Sequence, residues 1–269
     1  MSRDDPWARL AELPGVPEAV AETRAAADRL LGHRALRRRG GEVTAESAVR
    51  GARATAALEG ADWPLEVVRR HTAHADRAGA EVVRGALRAV GELGTLGHTW
   101  EQAPLQALAR LHALAAADVL DAGQLGRPRR YTEPAADPLG LGEPPGPAEL
   151  GVRLDALAQL LVMKTSAPAL VVAAVVHGEL LALRPFAWGS GIVARAAERL
   201  VLITRGLDAR ALGVPEVGHV ELHRGYSAAA GNYLRGTPDG VAGWICHCAA
   251  AVALGAQEGL AICEALARA

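Results

Sequence analysis

The residues best suited to chemistry are Gly189-Ser190-Gly191, with Arg195 one helical turn further on. Glycines let a backbone approach a ligand closely, and the orphan N–H groups of a helix start point outward with the positive end of the dipole. Type and spacing therefore suit an anion. Taken alone, the same tripeptide also reads as a tight turn between two helices.

The other reactive-looking clusters carry less. His219-Val-Glu221-Leu-His223 puts two histidines at i, i+4, but Glu221 falls at the wrong offset for the zinc-protease order. His71, His74 and Asp76 read as a solvated helix face. Cys246-His247-Cys248 cannot turn both thiols to one helical face. Arg37-Arg38-Arg39 before Gly40-Gly41 reads as a charged helix end with favourable dipole sense. There is no Walker loop, Rossmann fingerprint or nucleophile elbow, and no metal ligand set is assigned.

The elements that must position the turn are helical. Leu150, Leu154, Leu157 and Leu161 form an amphipathic stripe. Pro17 to Leu31, Thr44 to Gly60 and Pro104 to Ala117 read likewise, and Leu170 to Leu183 is apolar enough to be the central buried helix. A new helix begins near Ile192. Gly123 to Pro147 holds six prolines and several glycines, so it is a long loop with at most a short edge hairpin. The expected class is all-α with one irregular insertion: an N-terminal helical region over 1–120, a loop over 121–147, and a core with C-terminal helices over 148–269, packed as one unit.

Composition narrows the function classes. With 29 basic and 30 acidic residues the net charge is −1, which argues against nucleic acid as a partner; 3% aromatics leave little for base stacking. Half of the 269 residues are hydrophobic, which excludes a disordered chain. Lys164 is the only lysine, an arginine bias that suits a GC-rich genome. Three cysteines, Cys246, Cys248 and Cys263, exclude a disulfide scaffold. The apolar run from Ala167 to Val176 is too short for a membrane span, and Met1 to Pro6 lacks a signal-peptide pattern. The expectation is a cytoplasmic protein without a membrane partner.

Around the turn, Arg184-Pro-Phe-Ala-Trp188-Gly-Ser-Gly-Ile192-Val-Ala-Arg195 resembles the signature loop of the Fic (Fido) family, His-Pro-Phe-x-(Asp/Glu)-Gly-Asn-Gly-Arg-x-x-Arg. Pro185, Phe186, Gly189, Gly191 and Arg195 match in register. Independently, Thr55-Ala-Ala-Leu-Glu59-Gly60 is similar to the family's inhibitory-helix motif, here N-terminal to the core within 44–61. Arg224-Gly-Tyr226 followed by Trp244 is a weaker match, and the Pro/Gly-rich stretch stands where the family has its flap, which aligns target segments. The resemblance runs roughly from Leu13 to Ala250.

It implies a Fic-like helical fold and, with it, a pocket whose catalytic set is degenerate. The family's motif His deprotonates a target hydroxyl, which attacks the α-phosphate of ATP. Here that position is Arg184, and a guanidinium has no lone pair to accept a proton at neutral pH. The magnesium-holding acid is Trp188, which has no ligand oxygen, and the first motif arginine is Ile192. Mg2+ is thus not expected and no catalytic residue is assigned. His177, seven residues before Arg184, is read as a satisfied core histidine.

The resemblance further implies that Gly189, Ser190, Gly191 and Arg195 hold ATP, another nucleotide or an anion. It implies that Thr55, Glu59 and Gly60 form an inhibitory element, with Glu59 pairing with Arg195. The leading expectation is a pseudoenzyme acting as a nucleotide- or protein-binding regulatory module. The alternatives are an atypical nucleotidyl or phosphoryl transferase acting on a protein, and a structural subunit of a homodimer or hetero-complex.

Overall fold

The computed structural model describes residues 5–70, 76–130 and 133–268. Thirteen α-helices are found among them and no strand. The all-α expectation holds, and the edge hairpin proposed within 123–147 does not form among the described residues. His71 and His74 lie outside them.

The chain divides into two units. The first comprises Met1–Gly51, Thr165–Val175 and Val201–Ala269. Within it α13 (Pro238–Arg268) packs against α2 (Val16–Leu31), α11 (Pro215–Glu221) and α12 (His223–Leu234). Leu30, Val43, Leu212, Val214, Ile262 and Cys263 form its apolar cluster. Two buried hydroxyls are spent inside the same unit: Thr23 donates to the Ala249 carbonyl at 3.0 Å and Ser47 to that of Leu212 at 2.7 Å. By length and composition alone α13 could cross a membrane; half of its most apolar window is buried against the rest of the protein. Trp244 on α13 donates to the Ala174 carbonyl at 2.6 Å and stacks on Tyr226 at 5.9 Å. The free thiols of Cys246 and Cys263 are pushed above their ordinary pKa by burial.

One reading is corrected in this unit. Within α3 (Leu36–Leu58) the backbone leaves helical angles at Arg39 (φ −117°, ψ 17°), so Arg37 and Arg38 stand at the end of a short helical piece before the longer one begins. Arg39 pairs with Glu42 at 2.7 Å and donates to the Leu266 carbonyl. The His219/His223 pair does not share a helical face, because Leu222 separates α11 from α12. His219 is buried with its Nδ1 3.2 Å from His247 Nε2, while His223 is exposed.

The second unit comprises Ala52–Lys164 and Val176–Leu200. Here α5 (Ala80–Glu92), α6 (Gly97–Gln102), α7 (Pro104–Ala116) and α8 (Pro147–Val162) pack together. Leu150, Leu154 and Leu157 of the leucine stripe are buried, since α8 turns that face inward. The unit also holds the C-terminal half of α9 (Ala169–Leu183) and most of α10 (Ser190–Thr204). The loop joining those two helices carries the candidate site.

Candidate functional site

Gly189 makes the turn. Its φ of +74° lies in the left-handed region, where a Cβ costs about 1–2 kcal/mol. It lets α10 begin at Ser190, and the Val193 N–H closes the first helical bond on the Gly189 carbonyl at 3.1 Å. The Ser190 hydroxyl accepts from the Phe186 N–H at 3.0 Å and lies 3.1 Å from the Phe186 carbonyl, bracing the loop from inside.

Gly191 and Arg195 face a carboxylate supplied by the chain itself. α3 ends at Leu58, and Gly60 (φ +93°) reverses the backbone so that the Ala61 N–H reaches the Ala56 carbonyl at 2.8 Å, closing a Schellman-type end. That geometry seats Glu59 against Gly191, so closely that a methyl group at 191 would collide with Oε1. Glu59 Oε1 accepts from Arg195 Nη2 at 2.5 Å, and the carbonyl of buried Thr55 lies 3.4 Å from the same nitrogen. Arg195 is 1% exposed and the Glu59 side chain 10%. A carboxylate on the first turn of a helix and on a buried guanidinium satisfies both. The structure thus brings Thr55, Glu59, Gly189, Gly191 and Arg195 together.

Arg184 is directed elsewhere. It follows α9 with a φ of +39°, rare for a residue with a Cβ. Its Nη1 lies 3.0 Å from Asp137 Oδ2 and its Nη2 donates to the Gly142 carbonyl, both in the loop after α7. Asp137 also accepts the N–H groups of Leu141 and Gly142, each at 2.9 Å, which folds the loop around the guanidinium. Two backbone bonds fasten the same loop to the motif: Arg129 N–H to the Pro185 carbonyl at 2.7 Å and Ala136 N–H to the Ala187 carbonyl at 3.0 Å.

Beneath the motif, Phe186 stacks on His112 of α7 at 3.9 Å with rings 3° from parallel. His112 is fully buried and its Nδ1 accepts the Gly126 N–H at 2.9 Å. Burial lowers its pKa to about 4, opposed by a hydrogen bond to the Trp188 backbone, so the ring is neutral at pH 7. Trp188 is half-buried. His177 lies in the core with Nδ1 2.8 Å from Glu198 Oε2, both fully buried. Sequence reasoning missed Asp137, Arg129, His112 and Glu198. For His112 a signal existed, a polar residue inside the stripe of Leu108, Leu111 and Ala115.

No family model matches the chain, and no curated protein does. Solved structures do match. A Fic family protein from Desulfovibrio desulfuricans G20 superposes with a TM-score of 0.71 at 17% identity, over 90% of this chain and 74% of that one. Fic-1 (aa134–508) from C. elegans gives 0.69 at 17% identity, over 91% and 72%. The chain has the all-α fold of Fic family proteins.

Proposed function

We propose that this chain is a degenerate Fic-type protein: a pseudoenzyme that no longer transfers AMP and works as a regulatory binding module, with a protein as its partner. The observation carrying this reading is the Arg184–Asp137 pair. At the position where the family needs a proton acceptor stands a buried guanidinium, a group that only donates hydrogen bonds and is tied to the loop.

The retained turn supports an anion site gated by Glu59. Gly191 and Arg195 suit a phosphate once the in-chain carboxylate leaves, since both already meet an anionic oxygen. The residues do not suit Mg2+: Trp188 offers no side-chain oxygen.

Titration calorimetry with ATP tests the reading, with and without Mg2+, on the wild type and on Glu59→Gly. Affinity that is at least ten-fold higher in the variant and indifferent to Mg2+ is expected, because a competing charge is removed from Arg195. Transfer of label from α-labelled ATP to any protein would instead favour an active transferase and overturn the pseudoenzyme reading.

A further inference from the structure

A second feature of the same unit is chemically independent of the turn. A cavity of about 370 Å³ is walled by Leu105, Leu108, Leu150, Leu154 and Phe186, with Arg129 as the cation in its lining. Leu105 and Asp155, which also line it, are exposed, so the cavity opens to solvent. Its size lies in the range of small-molecule sites, and a mostly apolar wall with one fixed polar group is their usual construction.

Arg129 is 7% exposed, yet among the described residues none of its hydrogen bonds goes to a carboxylate. Its Nε donates to the Arg184 carbonyl at 2.9 Å, and its Nη2 to the carbonyls of Pro145 at 2.5 Å and Leu183 at 3.3 Å. Carbonyls orient a guanidinium but do not neutralise it. Nearby Arg184 adds a like charge, and its own partner Asp137 is committed to it. Burial and that like charge both push the Arg129 pKa down. A buried cation hydrogen-bonded to carbonyls alone is costly, and a bound anion relieves it.

We propose that this cavity binds a small free monocarboxylate with a compact apolar tail, the carboxylate on Arg129 and the tail among the leucines and Phe186. Asp155, the other charged residue of the lining, repels a carboxylate and so favours the orientation with the charge at Arg129.

The test is calorimetric titration of the full chain with octanoate, octanol and octylamine, which share a tail and differ in head group. Octanoate is expected to bind at one site, at least ten-fold more tightly than octanol or octylamine, the factor expected of one charge-assisted hydrogen bond. Leu105→Trp, at an exposed position of the wall, should abolish octanoate binding, and Arg129→Gln should remove the preference over octanol. Equal binding of octanoate and octanol by the wild type overturns the proposal. So does the absence of saturable octanoate binding, or octanoate binding that survives Leu105→Trp. The wild-type comparison decides even if Arg129→Gln fails to fold, and ATP affinity plays no part in it.

Discussion

Asp137 holds Arg184 with one carboxylate oxygen 3.0 Å from Nη1 while both its oxygens accept backbone N–H groups of the loop. The guanidinium is 4% exposed and the carboxylate 24%. Asp137→Asn removes the charge and turns one of the two accepting oxygens into a donor, so the cation is left uncompensated and one loop N–H loses its acceptor. A loss of about 3 kcal/mol is expected, the low end for a broken buried pair because Asp137 is partly wet. Urea unfolding measures it. Adding Arg184→Leu should recover most of the loss, since an apolar residue needs no counter-ion.

The contact between Glu59 and Gly191 predicts a coupling. Gly191→Ala places a methyl group on Oε1 and should cost about 1–3 kcal/mol in the wild type by forcing the carboxylate off Arg195. In a Glu59→Gly background the same change should cost much less. A double-mutant cycle of unfolding free energies reads the difference, and strict additivity would show that the two residues do not touch.

His112 predicts an acid-side loss of stability. Its folded pKa of about 4 lies below the ordinary 6.5, so between these values the unfolded chain binds the extra proton. The contribution is fully present above pH 6.5 and falls away as pH drops towards 4. The full loss, complete below pH 4, is roughly 3 kcal/mol. Urea unfolding at pH 7 and pH 4.5 should give a smaller acid-side loss for His112→Asn than for the wild type.

The thiols predict slow chemistry. Cys248 and Cys263 are buried, and burial raises the pKa of Cys263 and of half-buried Cys246. Native protein should react with a disulfide reagent many times more slowly than unfolded protein, in which all three thiols titrate.

Much of this architecture was legible because it is local. Leucine spacing gave the inward face of α8, and motif glycines gave the turn at 189–191. The Glu59–Arg195 contact came through resemblance alone; no periodicity links two residues on separate helices. Asp137 and Arg129 were not legible, because their partners at 184 and 183 lie far along the chain and within a Pro/Gly-rich loop no pattern sets register. Three arginines before two glycines marked the break at Arg39, where the backbone leaves helical angles.

The loop's two backbone bonds to Pro185 and Ala187 bear on how any extended peptide could dock. A peptide adding as a strand at these positions would compete with a segment tethered in the same chain. Short tethers present such a rival at an effective concentration of about millimolar. A partner that engages this loop must therefore be abundant, bind through side chains, or first unfasten Arg184.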